Sequence, residues 1–266
     1  MAAITLAVLV VVIAAVASAL LVPGADHRSA AGDGKGVRGL PATTGGAPQH
    51  APPRHRIPAP PPTAAVPDSI QHQPETPGRN VNITIDDGPD PVWTPQVLHV
   101  LDEHHVHATF CMIGPQAKAH PALVKEVVAR GHRLCDHTVH HDTGMDKKPM
   151  AYQSAEILDA LDMIQEASGG ARVYYYRAPG GAFTPPSRAL AAQHGMRPLG
   201  WNIDTKDFGR PGVNAILTTM KDEIHNGPTI LFHDGGGNRG QTVQALDKAL
   251  TWLKGQGYGF SFPKVD

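Results

Sequence analysis

Cysteine is nearly absent: only Cys111 and Cys135 occur in a chain of 266 residues, and their spacing fits no paired C-x-x-C zinc arrangement. Aromatic side chains are scarce, at 5%, and none precedes Trp93. A charge excess is missing too, since 23 Lys and Arg face 24 Asp and Glu. That balance argues against a nucleic-acid partner held mainly through phosphates. The glycine run Gly235, Gly236 and Gly237 is followed by no Gly-Lys-Ser or Gly-Lys-Thr, which argues against a phosphate-cradling P-loop. No internal repeat is evident.

Long apolar runs are missing except at one place. Residues Ala2 to Val22 carry no charge and only Thr5 and Ser18 as polar side chains. As a helix this run is long enough to cross a hydrocarbon core of roughly 30 Å, and it exceeds the usual signal-peptide core of about 7 to 15 residues. Residues 1–22 are therefore expected to be an apolar N-terminal helix, either a signal peptide or a transmembrane anchor. Small-residue cleavage patterns stand at Ala15-Val16-Ala17 and Ala17-Ser18-Ala19, although no Lys or Arg precedes the run. The expected location is extracytoplasmic, secreted or membrane-anchored, with membrane contact only through this segment.

Residues 23–78 hold 12 of the 25 prolines and no Phe, Trp, Tyr or Cys. A segment with so little apolar surface cannot offset the entropy of ordering it, so a disordered Pro/Gly/Ala-rich linker is expected there. Residues 79–266 contain every aromatic residue and both cysteines, and suffice for one substantial core. Cys111 and Cys135 form a disulfide if the strand ends carrying them are neighbours; otherwise they are two buried thiols.

Within this domain strand-like runs (Val81–Ile85, Ala108–Met112, His132–Cys135, Val173–Tyr176, Pro198–Ile203, Thr229–Phe232, Tyr258–Phe262) alternate with helical stretches (Trp93–His104, Pro121–Arg130, Pro149–Ala167, Pro186–His194, Val213–His225, Gln241–Lys254). Such alternation implies parallel pairing with right-handed crossovers. The fold class is α/β. Seven strands point to a distorted parallel (β/α) barrel smaller than the eight-stranded standard, with an open doubly wound sheet as the alternative.

In either architecture chemistry collects at the strands' carboxyl ends. There the sequence places Asp86 and Asp87 after the first strand, Asp136 to His141 after the third, Arg177 after the fourth, Asp204 and Asp207 after the fifth, and His233 and Asp234 after the sixth. Neighbouring residues of an extended chain point in opposite directions, so one of the paired acids can bind a metal while the other takes a proton. His137 and His141, four apart, meet on one side of a helical turn, with His140 as the rival for the second position. Two imidazoles and a carboxylate suit zinc, with cobalt or nickel as further candidates for the divalent ion. His104, His105 and His107, at a helix end, read as bland surface histidines.

Five segments in this order, T-I-D-D-G-P from Thr84, H-T-V-H-H from His137, R-A-P-G-G from Arg177, D-T-K-D-F from Asp204 and L-F-H from Leu231, resemble the motifs of the polysaccharide deacetylases, the NodB homology domain of carbohydrate esterase family 4. The resemblance spans roughly Asn80 to Phe262 and implies a distorted barrel of about seven strands. It implies that Asp87, His137 and His141 hold the metal, that Asp86 is the general base and His233 the general acid, that Arg177 orients Asp86, and that Asp207 keeps His233 protonated. It further implies that the backbone N–H of Gly180 faces the oxyanion and that Leu231 receives the acetyl methyl. Three positions depart from the family's usual pattern: Ile85 replaces Phe, Gly180 replaces Tyr, and Phe208 replaces Trp while keeping an apolar wall. The implied activity is removal of N-acetyl groups from N-acetylglucosamine units of peptidoglycan or a chitin-like polymer. O-deacetylation of an acetylated xylan, or a non-catalytic carbohydrate-binding module, are the alternatives. The implied partner is an acetylated polysaccharide.

Overall fold

Residues 65–266 are described by the computed structural model; the apolar run at 2–22 and most of the expected linker lie outside them. Among the described residues no helix is long and apolar enough to cross a membrane.

The chain runs β1 (Asn80–Asp86), α1 (Trp93–Glu103), β2 (Thr109–Met112), α2 (Gly114–Ala119), α3 (Pro121–Ala129), β3 (Arg133–Asp136), α4 (Met150–Ser168), β4 (Val173–Tyr176), α5 (Pro185–Gln193), β5 (Arg197–Pro198), β6 (Ile203–Asp204), α6 (Val213–Glu223), β7 (Thr229–His233), α7 (Gly240–Gly255) and β8 (Gly259–Phe260). One sheet has the order β5-β4-β3-β2-β1-β7-β6, with β8 on β1. Every pairing between these strands is parallel, as the alternation predicts.

Local chemistry accounts for the elements. Strand β1 is buried over its last six residues, because helices cover one face and the barrel interior the other. Val81, Ile83 and Ile85 join the apolar core, while Asn82, Thr84 and Asp86 form the intervening polar set. Helix α7 buries Thr242, Ala245, Leu246, Ala249, Leu250 and Leu253, a stripe at helical spacing. Each fully buried Leu there contributes about 1.5–3 kcal/mol. Helix α5 opens on a capping box between Thr184 and Ser187, with Pro at its start, and α4 stops at Gly169, whose φ of 77° suits glycine.

Two elements differ from expectation. The anticipated fifth strand, Pro198–Ile203, is broken: β5 pairs with β4 and β6 with β7. Between them the Leu199 and Gly200 carbonyls turn to the Arg177 side chain. The ring is thus joined at this point by the chain itself rather than by a ladder. Helix α2, six residues after Ile113 with Pro115 at its start, is an element outside the expected helical stretches.

The linker boundary expected at Gly78 is also too late. The Val66 N–H donates to the Ala192 carbonyl, Gln71 to Pro198 and Glu75 to Phe262, and Gln71 bridges Leu199 in parallel register. These backbone bonds supply what the composition of residues 65–78 could not.

Cys111 and Cys135 are register partners on β2 and β3 and are joined as a disulfide. Both are completely buried.

Candidate active site

Asp86 closes β1, and the chain then leaves the sheet sharply. Asp87 has a φ of 77°, and its N–H donates to the Cys111 carbonyl at 3.1 Å. Strain of this kind is tolerated where the surroundings over-determine it. Here it turns two adjacent carboxylates toward Arg177 and His141 respectively, while each keeps an oxygen 3.6 Å from His137 Nε2. The Asp86 Oδ1 accepts from Arg177 Nη1 at 2.7 Å. The Asp87 Oδ1 lies 3.2 Å from His141 Nε2 and 3.6 Å from His137 Nε2.

The His137 Nδ1 is 2.7 Å from the Arg177 carbonyl. A carbonyl only accepts, so Nδ1 carries the proton and Nε2 keeps its lone pair, the tautomer a metal ligand requires. Burial depresses the His137 pKa to about 3, against the pull of Asp87, so the ring is a neutral donor. His140, the rival ligand, turns away: its Nδ1 meets Glu156 Oε1 at 2.5 Å. Buried Glu156 also accepts from the Val139 and His140 N–H groups. The segment is therefore bent by a carboxylate seventeen residues beyond Val139, and positive φ values at Thr138 and His141 complete the turn.

Asp87, His137 and His141 each offer one ligand atom within 4.8 Å of the others. Among the described residues, the buried Asp87 Oδ1 has no hydrogen-bond donor. A desolvated carboxylate oxygen facing two imidazole Nε2 atoms fits a divalent cation, which would satisfy it while being held by all three.

On the other side stands His233, at the end of β7. Its Nδ1 donates to Asp207 Oδ1 at 2.7 Å, and its N–H to Asp207 Oδ2 at 2.9 Å. The Thr242 hydroxyl also donates to Asp207, at 2.8 Å, while the Thr205 hydroxyl gives its proton to the Leu231 carbonyl at 2.7 Å. Burial opposes charge on His233, but the Asp207 hydrogen bond and charge, with Asp86 and Asp87, prevail and raise its pKa to about 9. Asp207 is buried too, yet its bonds to His233 and Thr242 hold its pKa below the usual carboxylate value. For Asp86 burial wins over the Arg177 charge and pushes the carboxyl up.

Eight of the residues expected from sequence, Asp86, Asp87, His137, His141, Gly180, Phe208, Leu231 and His233, line one cleft of about 460 Å³. Arg177 and Asp207 stand behind it, fully buried. Gly180 has a φ of 60°, and a Cβ there would lie 3.2 Å from the Thr143 side chain. The place of the missing side chain is thus partly taken by Thr143. Phe208 is 51% exposed and meets the His233 ring edge-on at 5.6 Å.

Sequence reasoning missed Thr143, Trp201 and Arg239 on the same cleft. The buried Arg239 donates to the carbonyls of Gly235, Gly236, Asp207 and Phe208, tying the loop after His233 to the turn that carries Asp207. Its place two residues after the glycine run was the available signal. Asp234, whose role sequence left open, accepts from Thr94 at 2.6 Å beneath Gly88; burial raises its pKa to about 7.

A parallel α/β barrel carries its chemistry in such a cleft at its strand ends, and comparison with known proteins gives the family. The signature described as polysaccharide deacetylase matches residues 73–199. A chitooligosaccharide deacetylase of Sinorhizobium fredii is 36% identical, over 67% of this chain and 87% of the relative. A peptidoglycan-N-acetylglucosamine deacetylase of Bacillus cereus is also 36% identical, over 68% and 84%. Among solved structures, a peptidoglycan N-acetylglucosamine deacetylase superposes with a TM-score of 0.65 at 27% identity, covering 75% of this chain and 89% of its own. The chain belongs to the polysaccharide deacetylase family, carbohydrate esterase family 4, a family of hydrolases.

Proposed function

We propose that this protein removes N-acetyl groups from N-acetylglucosamine units of peptidoglycan or chitin-like oligosaccharides, releasing acetate, with one divalent metal ion, zinc by its donor set, held by Asp87, His137 and His141. The observation that carries the metal assignment is the orphaned Asp87 Oδ1 between two imidazole Nε2 atoms. The relatives named above support the substrate class. The chemistry such a cation supplies is Lewis acidity, which lowers the pKa of water and polarises an acetyl carbonyl.

The chain's own residues do the rest. Arg177 occupies Asp86 Oδ1 and leaves Oδ2 to take the water proton. The Gly180 N–H donates to the developing oxyanion, and Leu231, on the cleft wall, receives the acetyl methyl. As the C–N bond breaks, His233 gives its Nε2 proton to the amine nitrogen. Asp207 keeps that proton on the ring up to about pH 9. A C–O bond replaces the C–N bond, and acetate and a free amino sugar leave.

We also propose that the protein works outside the cytoplasm, secreted or anchored through residues 1–22; the buried Cys111–Cys135 disulfide supports an oxidising compartment. The test is acetate release from chitooligosaccharides and from peptidoglycan, with and without chelator, followed by zinc, cobalt or nickel. Release abolished by chelator and restored by metal is expected. Release that persists in chelator and in Asp87→Ala would overturn the metal assignment.

A further inference from the structure

We propose that Ile70, Gln71 and His72, ahead of the first strand, position the proton acceptor Asp86 by fixing the two main-chain carbonyls that hold Arg177. The role rests on the deacetylase reading above.

Arg177 is fully buried and reaches Asp86 through Nη1 alone. Its other nitrogens are held by main chain: Nε donates to the Leu199 carbonyl at 3.2 Å, and Nη2 to the Gly200 carbonyl at 2.9 Å. Those two carbonyls belong to the break between β5 and β6, where the Leu199 N–H still donates to Tyr176 at 2.8 Å but the Gly200 N–H reaches neither neighbouring strand. A glycine-containing link between two-residue strands is the loosest part of the ring unless something else holds it.

The segment before β1 holds it. The Gln71 N–H donates to the Pro198 carbonyl at 2.8 Å, and the Gly200 N–H to the Gln71 carbonyl at 3.0 Å. On the far side, the His72 carbonyl accepts from Thr229 Oγ1 on β7 at 2.6 Å. Gln71 and His72 thus fill the seam from β5 to β7. The contact is close: a Cβ on Gly200 would lie 2.3 Å from His72 Nε2 and 2.9 Å from Ile70 Cγ2, so one of these side chains would have to shift. Burial, and then the Arg177 charge, lower the His72 pKa, in keeping with this proximity.

The candidate metal ligands are wired differently. His137 rests on the Arg177 main-chain carbonyl, and the Arg177 N–H is held by Asp136 at 2.9 Å. Asp87 is held by Cys111. Loosening the seam should therefore disturb the proton acceptor and spare the metal set. Gln71 and His72 precede residue 73, where the family signature begins.

The experiment uses the full chain. Gln71→Pro deletes the N–H that grips Pro198, whereas Gln71→Ala keeps both main-chain bonds. In Gln71→Pro, kcat on a chitooligosaccharide should fall by about tenfold or more with KM within about twofold. Zinc affinity by calorimetry should be unchanged, and solvent exchange of the Arg177 Nε–H by NMR should quicken. Gln71→Ala, which loses only the side-chain oxygen that accepts from the His72 and Gln73 N–H groups, should change kcat and Arg177 exchange in the same direction but by clearly less than Gln71→Pro. Gly200→Ala attacks the same seam from the other side and decides the matter if Gln71→Pro does not fold; adding His72→Ala should restore it in part. Unchanged Arg177 Nε–H exchange in the folded variants would overturn the proposal, and so would zinc affinity falling in step with kcat. The exchange measurement needs no turnover. Absence of acetate release by the wild type would therefore count against the deacetylase reading alone.

Discussion

The two walls of the cleft are built on opposite principles. Behind His233 the Asp207 carboxylate is fully partnered: it receives two bonds from His233 and one from Thr242, and Arg239 ties down the adjoining loops. Around Asp87 a buried oxygen has no donor, and Asp87, Thr138 and His141 all hold positive φ. Buried polar atoms are normally satisfied, and strain concentrates where function requires it. On the proposed reading, the contrast separates a proton donor whose partner is built into the chain from a ligand set whose partner is the metal ion.

Breaking the incomplete wall should have the largest effect. Asp87→Ala should weaken zinc binding, by calorimetry, by more than the roughly 10–100-fold that loss of an outer hydrogen bond costs, and abolish turnover with it. Asp86→Asn should divide the wall's two tasks. Turnover should fall by about 10²–10⁴ while zinc affinity stays near wild type; joint loss would refute the separate roles of the paired acids.

On the complete wall the effects are smaller and depend on pH. The His233 pKa is raised to about 9, above the ordinary value of about 6.5, so its acid form persists into alkaline solution. Asp207→Asn should shift the alkaline limb of the kcat profile down by at least about one unit, since the partner charge that supports the imidazolium is gone. The same linkage acts on stability. The His233 contribution is fully present below about pH 6.5 and is lost as pH rises through about 9, so denaturant melts of wild type and Asp207→Asn should converge at high pH. Smallest of all, Thr242→Val removes one of several bonds to Asp207 and should cost about 1 kcal/mol in urea unfolding.

This division also tracks what could be read from sequence. The helix and strand order was legible because the periodicities are strong, and the rim residues because parallel α/β topology sends strand ends to one side. What escaped was what holds the rim residues in place. Glu156 bends the segment from His137 to His141 from within α4, and no local signal distinguishes it from other helix acids. Arg239 acts on carbonyls, which carry no residue identity. The broken strand at Leu199 and Gly200 escaped because its cause is the side chain of Arg177, distant in sequence. Residues 65–78 were read as tether because composition counts apolar burial, whereas this stretch is attached by backbone hydrogen bonds.

The link between Cys111 and Cys135 has a consequence for how the molecule is assembled. It encloses α2 and α3 in a loop with a sequence separation of 24, and closing a loop of that size in the unfolded ensemble is worth about 3 kcal/mol by chain entropy. Oxidation before folding would restrict the register search between β2 and β3 and bring their carboxyl ends together early. The carbonyl that receives the Asp87 N–H and the strand that leads to His137 would then be neighbours before the distant β7 arrives. The same chain made under reducing conditions would have to find that arrangement through contacts alone.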